Sequence, residues 1–260
     1  MSPLALTLSA LVLAADPAGT SASTTTPREK LRLGVDYRWW GRNLQFSPAA
    51  NALGTSIGTS PTGATFDVQW FPAAYFVDDR GADVGVFMRV DLAPEFITRM
   101  GGSDARFTSS ATQLRTGLLF RLPMRYAEPS FHAGLHLFEA TASPFASDGT
   151  PRPRVPNVTF QGPRVAVGLR LLEFWRITFD IGIGATWLLG MGELSTAGFF
   201  PGARGSAFDG KAGLAFRTWT WLDVRLGFDL TVHALTLGAG QTATDAYYGV
   251  SLGIVFKGVP

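Results

Sequence analysis

The sequence predicts an all-β fold, a transmembrane antiparallel up-and-down barrel of about ten strands, and three observations support it. About ten segments alternate apolar and polar residues with a period of two, the signature of a strand with two unlike faces. Short turns alternate along the chain with longer connections rich in Ser, Thr, Pro and Gly. Aromatic residues gather at both ends of the segments, where aromatic girdles flank the apolar band of a membrane barrel.

The clearest strand is WLDVRLGFDLTVHALTLG, residues 221–238. Leu226 and Phe228 stand on one face of it, and Arg225 and Asp229 on the other. Residues 222–232 would extend over about 36 Å at ~3.3 Å per residue. A tilt of about 40° reduces this to roughly 28 Å, close to the ~25 Å apolar band of a membrane barrel.

The other strands are predicted in chain order from the same alternation, and none of the segments keeps a helical period. These strands cover residues 31–39, 66–70, 84–92, 114–122, 131–137, 165–170, 177–185, 211–217 and 248–256. Short turns are predicted at 77–83, 123–129, 171–176 and 218–221, and long loops at 42–62, 94–112, 140–161, 188–208 and 237–246. Strict alternation of turns and loops is typical of an up-and-down barrel in a membrane.

Composition excludes several classes of function. Of the 260 residues, 46% are hydrophobic and only 16% charged, with a formal net charge of +2. No basic cluster offers a footprint for nucleic acid, so we expect no such partner. The absence of cysteine excludes disulfides, thiolate metal sites and cysteine nucleophiles. No apolar run approaches the ~20 residues that a membrane helix needs.

The chain divides into three parts. Residues 1–15 are apolar and end in small residues, so we predict an export signal peptide there. Residues 16–29 form a polar linker, and residues 30–260 form the barrel.

If the apolar faces meet lipid, the alternation assigns a network of charges to the lumen. These residues are Arg32, Asp36, Arg38, Asp67, Arg89, Asp91, Arg115, Arg121, Arg164, Arg170, Asp180, Lys211, Arg217, Asp223, Arg225 and Asp229. They could brace the wall as ion pairs, or line a narrow pore that slightly favours anions. We expect no catalytic residue, no cofactor and no metal site.

The same alternation assigns a set of aromatic residues to the two membrane interfaces, where amphipathic rings prefer to lie. These residues are Trp39, Trp40, Tyr126, Trp175, Trp187, Trp219, Trp221, Tyr247 and Tyr248.

With these features the chain resembles a bacterial outer-membrane β-barrel, and its last strand YYGVSLGIVF, residues 247–256, resembles the family's C-terminal assembly signal. The signal normally ends the chain on an aromatic residue, whereas here Phe256 is followed by KGVP. The resemblance implies export to the outer membrane of a Gram-negative bacterium. It also implies contact with outer-membrane lipid, contact of the loops with lipopolysaccharide, and passage of ions or small solutes if the lumen is a pore.

Two alternatives remain. An outer-membrane enzyme would work near the extracellular rim, where His233 could meet Ser251, the inward serine of the last strand. The ten-stranded outer-membrane proteases carry paired aspartates at that rim, whereas the adjacent pair Asp78–Asp79 falls in a turn at the opposite end. A soluble lipocalin-like barrel would reverse the two faces and bury the apolar one.

Overall fold

The computed structural model describes residues 29–47, 56–77, 80–100, 106–146, 148–151, 156–238 and 240–258. Within these ranges the chain forms ten strands: β1 (Leu31–Ser47), β2 (Ser56–Trp70), β3 (Val84–Met100), β4 (Arg106–Arg121), β5 (Ala127–Ala142), β6 (Val158–Phe174), β7 (Ile177–Leu188), β8 (Arg204–Trp219), β9 (Leu222–Gly238) and β10 (Gln241–Gly258). The predicted signal peptide and nearly all of the predicted linker lie outside the described residues.

The strands form one closed antiparallel ring. Each strand pairs with its neighbours in the chain, and β1 pairs with β10 from Leu31–Gly258 to Ser47–Thr242. Closure leaves no unpaired sheet edge, which hydrocarbon could not solvate. The predicted up-and-down barrel of ten strands is therefore confirmed. No described helix is both long and apolar enough to cross a membrane.

The two faces of the wall point as the alternation predicts. Leu226 and Ile181 are half exposed on the outer surface, whereas Asp229 and Asp36 are almost completely buried inside. The outer surface of the wall is thus apolar and its interior ionic, the reverse of a lipocalin-like barrel. The soluble alternative is wrong on this point.

The strands are longer than predicted, and they take up much of the predicted loops. β9 and β10 continue through most of residues 237–246, and β3 and β4 through most of 94–112. A strand of 17 residues extends about 56 Å, or roughly 43 Å in height at a tilt of ~40°, against an apolar band of ~25 Å. The end that carries the predicted loops, which we call the outer half, therefore projects well beyond the band.

In the outer half the alternation changes phase. On β1 the outward residues up to Trp39 are apolar, but above it Asn43 and Gln45 point outward while Leu44 and Phe46 are buried inside. Water replaces lipid around the wall there, so polar side chains face out and apolar side chains face in. The alternation was predicted with a single phase because the membrane boundary was placed at the strand ends.

Candidate functional site

Four side chains at mid-lumen form the most connected part of the ion network. Arg38 lies 2.8 Å from Asp91 and 3.6 Å from Asp229. Arg89 bridges the same two carboxylates, at 3.0 Å from Asp91 and 2.8 Å from Asp229. The Thr65 hydroxyl donates a further hydrogen bond to Asp91 at 2.7 Å. The pairs join β1, β3 and β9, which are not neighbours in the sheet, so they brace the bore from wall to wall.

Further pairs fill the lumen, and all of them except Arg164 with Asp209 lie toward the end with the short turns, which we call the turn end. They are Arg225 with Asp36 at 2.5 Å, Arg164 with Asp209 at 2.5 Å, Arg170 with Asp180 at 3.0 Å and with Glu128 at 2.9 Å, Arg32 with Asp180 at 3.7 Å, Arg121 with Asp83 at 3.4 Å and Lys257 with Asp223 at 2.7 Å. The charged residues that the sequence assigns to the lumen all lie on the inward face.

The prediction missed several members of this network, among them Asp209 and Lys257. Both are inward and nearly buried. Position parity could have identified them, since Asp209 lies two residues before Lys211 on β8 and successive inward side chains are two residues apart.

Two lumen cations have no carboxylate partner among the described residues. Arg115 donates from Nη2 to the Thr231 hydroxyl at 2.8 Å, and its buried Nε has no hydrogen-bond partner. Lys211 lines each of the three cavities described below.

The outer half of the lumen is filled by a cluster of apolar side chains, which we call the outer plug. Its large members are Trp40, Leu44, Phe46, Phe96, Phe107, Phe138, Val158, Phe160, Leu188, Met191, Leu194, Leu235, Leu237 and Tyr247. Phe138 and Phe160 are fully buried and stack with ring centroids 6.0 Å apart.

The connection between β7 and β8 contributes to this plug. Beyond Leu188 the chain stays paired with β6, since Leu189 donates its N–H to the Gln161 carbonyl at 2.8 Å. Met191 and Leu194 are then buried in the plug, and Phe200 stacks on Phe46 at 6.5 Å. This segment therefore supplies three apolar side chains to the outer plug.

A buried polar group is embedded in the plug. Arg42 holds Asp245 through two hydrogen bonds, at 3.0 and 2.8 Å, and the Tyr247 hydroxyl donates to the same carboxylate at 2.9 Å. His233 is fully buried beside them, with its ring centroid 4.3 Å from that of Phe160. Because these groups are sealed from solvent, the arrangement suits a structural brace.

Small cavities lie among the charged side chains of the described lumen. The two larger cavities measure about 40 and 50 Å³, and a third measures about 30 Å³. The first two share Asp67, Arg89 and Lys211. Each has room for a few water molecules, since one water needs roughly 10–15 Å³ measured in this way.

The turn end of the lumen is also narrowed. Phe71, Phe87 and Leu119 pack there with two alanines into a second buried cluster. The Arg121 guanidinium lies 3.7 Å from the centroid of the Phe71 ring. Apolar packing therefore lies beside the ion network at the turn end as well as above it.

The fold is similar to that of solved outer-membrane barrels. The outer membrane protease OmpT from Escherichia coli aligns with a TM-score of 0.51 at 7% identity, covering 90% of this chain and 98% of that chain. The transport unit of the autotransporter AIDA-I from Escherichia coli has a TM-score of 0.44 at 8% identity, covering 90% and 93%. The translocator domain of the autotransporter NalP from Neisseria meningitidis has 0.40 at 10%, covering 88% and 90%. No family model and no curated protein matches the sequence.

The protein has the fold of an outer-membrane β-barrel. Its closed ring, apolar outer band and ionic interior agree with that fold, and at these identities the likeness to solved structures is one of fold alone.

The girdles of this outer-membrane barrel differ from the prediction at two positions. The aromatic residues that do point outward are Trp39, Tyr126, Trp175, Trp187, Trp219, Trp221 and Tyr248. Trp40 and Tyr247 are instead buried in the outer plug, at 6% and 3% exposure. Adjacent residues of a strand point to opposite faces, so only one member of each aromatic doublet can reach the interface. The prediction is wrong for these two.

The structure separates the residues of the catalytic alternative. His233 pairs in register with Asp245, whereas Ser251 pairs with Gly227. Gly227 and His233 are six positions apart on β9, or about 20 Å, so the suggested meeting of His233 with Ser251 is wrong. Asp78 and Asp79 lie outside the described residues. No group of three or more potential metal ligands occurs in the described part of the chain.

Proposed function

We propose that this outer-membrane barrel is a closed structural surface protein without catalysis, rather than a pore. The outer plug is the single observation that carries this proposal. A conducting lumen needs a continuous path of water, and in the described part of the chain the apolar side chains of Phe138, Phe160, Met191 and Leu194 are buried in the outer half of the bore. The ion network below serves to brace the wall.

The projecting outer half supports the same proposal. Its outer surface is polar and its interior is packed like that of a soluble protein, so it forms a rigid body above the apolar band. Such a body can carry surface loops without an open lumen. The proposal includes that the protein comes from a Gram-negative bacterium and that residues 1–15 are its export signal.

Planar-bilayer recording tests the proposal directly. Folded protein, verified by its heat-modifiable mobility in electrophoresis, is expected to insert without discrete conductance steps over a range of salts. Anion-selective steps in the wild type, growing in Arg89→Ala or Arg115→Ala, would instead support the narrow pore and overturn the closed barrel. Phe138→Ala/Phe160→Ala serves as the comparison variant, because it thins the plug without changing a charge.

We also propose that the outer half contacts the anionic groups of lipopolysaccharide through Arg99 and Arg106. The two residues lie directly opposite each other on β3 and β4, and both point outward into solvent. Like charges in this position repel, and a bound phosphate would relieve the repulsion. Arg99→Gln/Arg106→Gln should weaken binding to lipopolysaccharide-containing vesicles more than Arg204→Gln does; equal binding would refute the contact.

A further inference from the structure

The charges at mid-lumen do not balance locally. Arg38 and Arg89 are matched by Asp91 and Asp229, Arg164 by Asp209 and Arg225 by Asp36. After these pairs, the cations that remain around the 40 Å³ cavity are Arg115 and Lys211, and the carboxylate that remains is Asp67. The group therefore carries an excess of one positive charge.

An uncompensated charge in this position is costly. Arg115 is 95% buried by its 5% relative exposure, and its Nε has no hydrogen-bond partner among the described residues. A buried charge without a partner destabilises a protein strongly, more than a complete pair does. A folded barrel therefore gains stability from a counter-ion at this point.

The cavity has the size and lining for such an ion. It measures about 40 Å³, and Arg115, Lys211, Asp67 and Gly182 are among the residues that line it. A Cβ at Gly182 would lie 2.9 Å from Cε of Lys211, so the glycine leaves room for that side chain. The volume accepts one monatomic anion with one or two waters, whereas a hydrated oxyanion of higher charge would be too large and would overcompensate the single excess charge.

We propose that the lumen binds a single halide ion in this cavity, between Arg115 and Lys211. Lys211 supplies the unpaired ammonium group, and the Arg115 guanidinium lines the same cavity. Asp67 opposes the ion, since its carboxylate lines the same cavity and lies 4.0 Å from its nearest guanidinium partner, Arg225. The site is a structural ion site enclosed in the barrel, and it does not depend on the barrel being closed or conducting.

Crystals of wild-type protein folded in sodium bromide test the site by anomalous diffraction. Bromide has the same charge as chloride and a similar size, and its anomalous scattering distinguishes it from water. We expect a peak inside the barrel within contact distance of the Lys211 ammonium and the Arg115 guanidinium. A map without a peak in this cavity, at a resolution that shows the surrounding waters, would overturn the proposal.

Thermal unfolding in detergent supplies an independent test at constant ionic strength. Replacing sodium gluconate by sodium chloride should raise the unfolding temperature of the wild type, because gluconate is too large for the cavity and a ligand bound only to the folded state stabilises it. Lys211→Met should abolish the difference between the two salts. Lys257→Met is the matched control, since Lys257 is paired with Asp223 at 2.7 Å and does not line the cavity; its salt difference should stay as in the wild type.

Asp67→Asn separates ion binding from a general effect of charge removal. Removing the opposing carboxylate should enlarge the chloride-dependent shift and lower the chloride concentration of its midpoint. An equal response to the two salts in the wild type, or the wild-type response retained in Lys211→Met, would refute the site. If Lys211→Met does not fold, the bromide map and the Asp67→Asn titration still decide.

Discussion

Replacing Phe160 by alanine tests whether the outer half of the lumen is a packed core. Phe160 is completely buried, its ring centroid 6.0 Å from that of Phe138 and 4.3 Å from that of His233. A buried Phe removes about 150–250 Å² from water, which at ~25 cal/mol per Å² corresponds to about 4–6 kcal/mol. Because alanine retains part of this burial but leaves a cavity, we expect a loss of about 3–5 kcal/mol in the free energy of unfolding.

Equilibrium unfolding in denaturant, followed by tryptophan fluorescence of protein folded into lipid vesicles, measures this loss. Ile57→Ala is the matched control, since Ile57 lies on the outer half but points outward and is 52% exposed. It should change the unfolding free energy by no more than about 0.5 kcal/mol. A cost below about 1 kcal/mol for Phe160→Ala, or one equal to that of the control, would mean that water already surrounds Phe160 and that the plug is not a core.

Three further predictions test other parts of the fold by the same unfolding measurement. Arg42→Met alone should lower the free energy of unfolding by about 3–5 kcal/mol because it leaves Asp245 buried without its partner. Adding Asp245→Leu should recover more than half of this loss. Additive losses from the two substitutions would contradict the pairing. Ile181→Arg, on the lipid face, should lower the free energy of unfolding by about 2–4 kcal/mol. Thr108→Arg, on the water-facing outer half, should change it by no more than about 0.5 kcal/mol. Equal losses in the two variants would show that the membrane boundary has been placed wrongly. Arg176 has a φ of +69°, a backbone conformation that costs most residues ~1–2 kcal/mol. Because this cost is larger than the entropic cost of introducing a glycine, Arg176→Gly should stabilise the β6–β7 hairpin by about 0.5–1 kcal/mol. A destabilised variant would refute the strain at this residue.

The alternation of the sequence predicts the ring of strands because each strand within the membrane has lipid on one side and the lumen on the other. That rule assigns Leu226 to lipid and Asp229 to the lumen, as the structure has them. The rule cannot assign partners, because an ion pair such as Arg89 with Asp229 joins residues 140 positions apart. Closure of the ring and the tilt of its strands bring them together, and neither is encoded locally.

The outer plug could have been predicted from the sequence, because the apolar residues move from one face of a strand to the other at the level where the plug begins. Trp39 and Trp40, and likewise Tyr247 and Tyr248, are adjacent aromatic residues where an apolar row passes from one face of a strand to the other. Leu137 and Phe138 form a third doublet of large apolar residues on β5, with the leucine outside and the phenylalanine fully buried. A doublet at corresponding heights on three strands thus indicates the level at which lipid ends.

The change of phase gives the two halves of the barrel opposite sources of stability. In the outer half the surrounding water drives Phe138 and Phe160 inward, so the packing there follows the rules of a soluble core. Within the membrane both faces are shielded from bulk water, and the interior is held by ion pairs such as Arg38 with Asp91, which are buried and weakly screened by salt. In the proposed closed barrel, the plug would exclude water from the outer end of this ionic interior and so strengthen the ion pairs that brace the wall beneath it.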